Sequence, residues 1–124
     1  MDIKIEERLI GSVTVLDLAG KLRMEESAQH LKDKINSLVS QKRTEIIVNL
    51  KNVPYIDSGG LGQLVASFAS VRKAGGVLKL LNVGSRNSDL LSITRLVTVF
   101  ESFDSEAEAV QSFQAATRSA AATQ

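Results

Sequence analysis

Asn52-Val53-Pro54-Tyr55-Ile56-Asp57-Ser58-Gly59-Gly60-Leu61-Gly62 joins an apolar run, Ile46-Ile47-Val48-Asn49-Leu50, to a series spaced as one face of a helix, Leu61, Leu64, Val65, Phe68 and Val71. The run from Glu45 to Leu50 is short, β-branched and almost wholly apolar, which predicts a strand covered on both faces. The helical series predicts a helix from about Ser58 to Lys73, ended at Ala74-Gly75-Gly76 by a glycine in the left-handed cap. A turn from buried strand to helix brings the first free helical N–H groups, and the positive end of the helix dipole, to its tip. The residue presented there is Ser58, beside the carboxylate of Asp57 and followed by two glycines.

Toward the N-terminus, Ile3, Ile5 and Leu9 alternate with Lys4, Glu6 and Arg8, the pattern of a half-exposed strand. Gly11-Ser12 turns the chain into a second strand, Val13 to Leu18, closed by Ala19-Gly20. Strands joined so tightly are antiparallel, because a parallel pair needs a long crossover. From Glu25 the period becomes helical: Ala28, Leu31, Ile35, Leu38 and Val39 oppose Lys32, Asp33, Lys34 and Gln41. Glu25 and Glu26 in the first turn and Lys42 and Arg43 near the end suit the dipole of this first helix.

Toward the C-terminus, Val77 to Val83 predicts another strand and Asn87 to Leu91 a short helix, extending as far as Leu96. Val97-Thr98-Val99-Phe100 predicts a last short strand. Ser105 with Glu108 three residues on is a capping-box pattern, and Ala107, Val110 and Phe113 form the stripe of a terminal helix. Residues 117–124, rich in Ala, Ser, Thr and Gln, carry nothing to pack and are expected to form a disordered tail behind a single domain over 1–116. The order β-β-α-β-α-β-α-β-α predicts an α/β fold: a mixed sheet opened by a hairpin and covered by about four helices. Ligand and partner sites in such folds favour the carboxyl ends of strands, where Asp57-Ser58 is expected.

Composition narrows the chemistry. The 124 residues, 44% hydrophobic and 23% charged, suit one globular domain. No apolar run approaches the roughly 20 residues of a membrane helix, and Met1-Asp2-Ile3-Lys4 lacks the layout of a signal peptide. With no cysteine and a single histidine, His30, there is little material for a metal site. A net charge of +1 gives no electrostatic case for nucleic acid. The expectation is a cytoplasmic, cofactor-free domain bound to neither membrane nor nucleic acid.

Asp57-Ser58-Gly59-Gly60 invites comparison with serine proteases, but a nucleophilic serine needs a base, usually a histidine oriented by a carboxylate. His30 falls on the polar part of the first helix, where a solvated surface residue is expected, and no S-x-x-K spacing begins at Ser58. Glycines at a helix start also resemble an anion site, yet neither the P-loop nor the G-x-G-x-x-G pattern is present. The plain alternative is a helix cap at Asp57 or Ser58, worth about 1 kcal/mol. Glycines in a turn carry an entropic cost unless a special conformation or a close approach requires them. From the residues alone, cap and functional site stand level.

The stretch from Asn52 to Gly62 closely resembles the signature of the STAS domain family, named for sulfate transporters and anti-sigma factor antagonists. The resemblance continues through Gly20-Lys21-Leu22, Val71 to Gly76, Leu78 to Val83, Leu90-Leu91 and Val99 to Ser105, nearly the whole chain in order. A free-standing domain of this length is similar to the bacterial anti-sigma factor antagonist branch. In that branch the serine after the motif aspartate is phosphorylated by a partner anti-sigma factor that is also a serine kinase. The resemblance puts Ser58 in that position. It implies that the unphosphorylated form binds the anti-sigma factor and frees a sigma factor, that phosphorylation ends the binding, and that a serine phosphatase restores it.

On this resemblance Asp57 orients or flanks the phosphoacceptor, and Gly59, Gly60 and Gly62 permit close approach. Gln63 and Ser67, on the early exposed face of the helix, extend the contact surface, and Arg23 and Met24 contribute from the facing loop. Many relatives carry a second serine where this chain has Gly59, which confines phosphorylation to Ser58. Relatives often carry an aspartate after Gly20-Lys21-Leu22, where this chain has Arg23. An arginine there has three readings: a partner for a phosphate on Ser58, a contact for an acidic partner surface, or a solvated loop residue. The domain is expected to be a monomer or a weak homodimer. The alternatives are a scaffold of a signalling assembly, an accessory subunit of a lipid transport complex, and a small-ligand or nucleotide binder; hydrolysis at Ser58 ranks last.

Overall fold

The computed structural model describes residues 3–23, 26–84, 87 and 100–113. Strands β1 (Lys4–Ile10) and β2 (Val13–Ala19) form the expected antiparallel hairpin, with Ile10 opposite Val13 across Gly11-Ser12. Strands β3 (Glu45–Asn52), β4 (Val77–Leu81) and the two-residue β5 (Ser102–Phe103) add in parallel, so the sheet runs β1-β2-β3-β4-β5. Helix α1 (Glu26–Ser40) links β2 to β3, and α2 (Ser58–Lys73) links β3 to β4. Both crossovers step the same way along the sheet, and right-handed crossovers stepping one way put their helices on one face.

Strand alternation divides the side chains between two apolar layers. Leu16, Leu18, Ile46, Val48, Leu78 and Leu80 meet Leu31, Ile35 and Leu38 of α1 and Leu61, Leu64 and Val71 of α2. Val13, Val15, Ile47 and Leu81 face the other way, against Ala109, Val110 and Phe113 of a helix over residues 106–113. The strands β2, β3 and β4 are therefore buried on both faces, as their near-continuous apolar runs predict. Ser105 opens the last helix by accepting from the Glu108 N–H at 3.4 Å. Lys79 anchors it from the sheet: its buried ammonium donates to Ser112 Oγ at 2.8 Å and lies 4.5 Å from the Phe113 ring centre. Helix α2 ends as its glycines predict: Gly75 takes a φ of +88°, Gly75 N–H donates to Arg72 O and Gly76 N–H to Val71 O.

Two expectations change, for the last strand and for His30, and others fall mostly outside the described residues. The strand expected at 97–100 falls outside the described residues except for Phe100, which is buried in a bend; the strand that pairs with β4 lies at Ser102–Phe103. Of the helix expected from Asn87 to Leu91, only Asn87 is described, and it is helical. His30 is not a solvated surface residue: it is half-buried, with Nδ1 3.0 Å from the carbonyl oxygen of buried Ile3. Ile3, buried in the layer that α1 packs on, covers a side of His30 that the helical pattern alone leaves open. The expected tail from 117 lies outside the described residues.

Candidate functional site

The turn between β3 and α2 is built against the segment that follows β2. Gly20 N–H donates to Asn52 O (3.0 Å), Leu22 N–H to Tyr55 O (2.9 Å) and Asp57 N–H to Leu22 O (3.1 Å). Leu22 and Ile56 form a parallel bridge and bury both side chains, pinning residues 20–23 beside residues 52–57. Buried Asn87 adds a support from below by donating from Nδ2 to Val53 O at 3.1 Å. The turn is thus held on three sides by backbone pairing, apolar burial and an amide.

Asp57 is the helix cap. Its backbone is extended (φ −92°, ψ −179°), its Oδ1 accepts from Gly60 N–H at 2.7 Å, and its carbonyl accepts the first helical bond from Leu61 N–H at 2.8 Å. An aspartate here satisfies one otherwise free donor and places negative charge at the positive end of the dipole. Ser58 follows as the first helical residue and is exposed. Capping belongs to Asp57, and among the described residues the Ser58 hydroxyl makes no hydrogen bond.

The glycines divide by role. Gly60 is buried, and a Cβ there would lie 2.2 Å from Leu22 O and 2.7 Å from Leu22 C. Its missing side chain lets α2 close onto the chain's own Leu22, which corrects the expectation that it opens room for another protein. Gly62 is exposed, and a Cβ there would meet nothing within 4 Å, so the fold does not require a glycine at that position. Gly59 is half-buried.

Gln63 is half-buried and donates from Nε2 to Ser67 Oγ at 3.1 Å. Ser67 itself is buried and cannot extend an exposed contact surface. It belongs to the inward stripe Gly60, Leu64, Ser67, Val71, at helical spacings of three and four. Arg23 is exposed beside the turn, and its backbone is fixed by Ser27, whose Oγ accepts from Arg23 N–H (2.7 Å) and donates to Arg23 O (2.6 Å). Met24 lies outside the described residues. The surface around Ser58 also includes exposed Pro54 and Tyr55, which the motif quoted but did not single out; Tyr55 is a large apolar side chain 41% exposed.

The sequence profile of the STAS domain matches residues 4–109, from β1 into the terminal helix. The chain belongs to the STAS domain family. This STAS domain is 34% identical over 101 residues to an anti-sigma-B factor antagonist of Bacillus subtilis (strain 168), covering 82% of this chain and 91% of that one. An anti-sigma factor antagonist from Mycobacterium paratuberculosis has the same fold, with a TM-score of 0.77 at 20% identity over 89% of this chain and 92% of its own. So does the Bacillus protein SpoIIAA in its phosphorylated form, with a TM-score of 0.70 at 20% identity over 89% and 99% of the two chains.

Proposed function

We propose that this STAS domain is an anti-sigma factor antagonist whose Ser58 turn docks on an anti-sigma factor with serine-kinase activity. Phosphorylation of Ser58 by that partner ends the complex, and a serine phosphatase restores it. The observation that carries this reading is the split of roles at the turn, where Asp57 caps α2 and Ser58 stands exposed beside it. A hydroxyl that the fold does not use can gain a phosphate without unfolding the domain. The B. subtilis relative, an anti-sigma-B factor antagonist, supports the choice of partner class.

The contact surface on this reading is Ser58, Gly59 and exposed Gly62 on α2, flanked by Arg23 after β2 and by half-buried Gln63, with Met24, next in the sequence, assigned to the partner as well. Asp57 contributes through the cap and through its charge. A phosphate adds about −1.5 to −2 charges. Within a packed interface beside the Asp57 carboxylate that charge is repelled and poorly solvated, and a penalty of about 3 kcal/mol weakens binding more than a hundredfold. Exposed Lys21 and Arg23 flank the Leu22–Ile56 bridge that aligns the two segments, and Arg23 is the side chain assigned to meet the phosphate or an acidic patch on the partner.

The test is phosphoryl transfer from labelled ATP by the anti-sigma kinases of the source organism. Label is expected on the wild type and absent from Ser58→Ala. Ser58→Glu is expected to keep the wild-type melting temperature and lose the partner. Transfer to Ser58→Ala at the wild-type rate, or a Ser58→Glu variant that no longer folds, overturns the reading.

A further inference from the structure

Strand β1 ends the sheet, and among the described residues no further strand pairs with its outer edge. Its register sets which backbone groups face out. Ile10 and Val13 close a two-residue hairpin and form a hydrogen-bonded pair, so Lys4, Glu6, Arg8 and Ile10 spend their N–H and C=O groups on β2. Ile5, Glu7 and Leu9 turn theirs outward. Leu9 is also 63% exposed, a large aliphatic side chain left in water on the face that α1 covers only in part. Exposed edges of this kind are templates for another strand.

We propose that β1 pairs antiparallel with β1 of a second copy of this chain, about a two-fold axis through Glu7. Three registers are possible near the middle of the strand if both sheets are to keep the same side toward their helices. Centred on Glu6, Lys4 faces Arg8 and Glu6 faces itself, so like charges oppose. Centred on Arg8, the arginines face each other and Leu9 faces Glu7. Centred on Glu7, Ile5 faces Leu9 and Glu6 faces Arg8, each twice, which matches apolar with apolar and acid with base. In that register alone the outward-facing residues all fall opposite one another, so each exchanges its free backbone bonds.

The like pair on the axis is already compensated within each chain. Glu7 Oε2 is 2.7 Å from Arg43 Nη2 and its Oε1 is 3.4 Å from Lys34 Nζ. Arg8 engages Asp17 and Glu106 through Nε and Nη2, which leaves Nη1 to reach Glu6 of the second copy. The pairing runs two five-stranded sheets into one. It leaves both Ser58 turns uncovered, at opposite ends of the joined sheet, because β3 in one copy runs antiparallel to β3 in the other.

The absence of cysteine makes the register directly testable by single-cysteine cross-linking of the full chain. Across the axis Glu7→Cys faces itself at about 5.5 Å between Cα atoms, inside the disulfide range. Lys4→Cys, at a side chain more exposed than Glu7 and so no harder for the oxidant to reach, is about 20 Å from its copy. With diamide as oxidant, Glu7→Cys is expected to form the intermolecular disulfide at least about tenfold faster than Lys4→Cys. Equal rates, or a faster Lys4→Cys, overturn the proposal. Sedimentation of wild type should show a mass rising with concentration toward about 1 mM, a range suited to a weak edge contact. Glu6→Arg, which sets two arginines opposite each other, should remain folded and monomeric. A wild type monomeric throughout, or a Glu6→Arg variant that dimerises as well as wild type, overturns it as well.

Discussion

Gly60→Ala adds one carbon to a domain of 124 residues and should damage it out of proportion. The new Cβ would lie 2.2 Å from Leu22 O and 2.7 Å from Leu22 C, both backbone atoms with no rotamer to change. Relief requires moving the Leu22 carbonyl, which also accepts from Asp57 N–H, or lifting the start of α2 from the sheet. Overpacking of this kind costs about 1–3 kcal/mol, and a weakened backbone hydrogen bond about 1 more. Alanine returns up to about 1 kcal/mol of helix propensity. The net expectation is a loss of about 1–3 kcal/mol, which at roughly 4 °C per kcal/mol lowers the melting temperature by about 4–12 °C.

Gly62→Ala, on the same helix, supplies the control. Its Cβ meets nothing within 4 Å, so it should gain the propensity term alone, raising stability by about 0.5–1 kcal/mol. Subtracting the two variants removes most of the propensity and isolates the clash at about 2–4 kcal/mol. Urea unfolding followed by circular dichroism measures both, and equal slopes would show that the unfolded states match. Gly60→Ala as stable as Gly62→Ala would refute the claim that Gly60 is required by Leu22. Its role would then return to the outer surface, where the motif alone had placed it.

Asp57→Ala removes the cap of α2 and should cost about 0.5–2 kcal/mol in the same assay, whereas Ser58→Ala should stay within about 0.5 kcal/mol of wild type. Acid should weaken the domain through Asp17, whose carboxyl is held below the usual range by its hydrogen bonds with Arg8, against an opposing effect of burial and with help from Asn49. A depressed carboxyl stabilises the fold above its unfolded pKa, near 4, and that contribution is lost as pH falls through its lower folded value. Melting temperatures taken from pH 6 down should therefore drop below about pH 4 in wild type and drop less in Asp17→Asn; parallel curves would remove Asp17 from the account. A leucine at exposed Gly62 should leave the melting temperature near that of Gly62→Ala and weaken the anti-sigma partner at least about tenfold, read by titration calorimetry. Unchanged affinity would place the interface elsewhere.

The bounds of α2 were legible because three local signals agree: an aspartate that can cap, an apolar stripe at helical spacing, and a glycine that takes a positive φ at the end. The two-sided burial of β3 was legible for a similar reason, since an unbroken apolar run has no polar face to expose. What could not be read was pairing between distant segments. Nothing near Leu22 announces that its carbonyl will lie against Gly60, and nothing near Ile3 announces that it will cover His30. The hydrophobic pattern also passes over buried residues that are not hydrophobic. Gly60 and Ser67 lie on the inward stripe of α2, but a reading that counts aliphatic side chains assigns them to the surface. Asn87 is hidden for the same reason, because a buried amide under a loop carbonyl has no periodicity of its own.

Charge at Ser58 shows why a cap supplied by its neighbour matters to a switch. A phosphate on the first residue of α2 gains from the helix dipole by about 0.3–1 kcal/mol for each charge near the terminus. Against this stands the Asp57 carboxylate; a unit pair 6 Å apart in water repels by about 0.7 kcal/mol. The two effects nearly cancel, so the phosphorylated domain should melt within a few degrees of the unmodified one. Had Ser58 been the cap, phosphorylation would have removed the oxygen that holds the N-terminus of α2, and the fold would carry the cost. Because Asp57 holds Gly60 N–H instead, the whole effect of the phosphate can fall on the partner. Moving the cap should therefore couple the two. In Asp57→Ala, phosphorylation of Ser58 should change the melting temperature more than in wild type, since the phosphate becomes the nearest acceptor for the free helical donors. An identical shift in both backgrounds would show that cap and switch are not divided between the two residues.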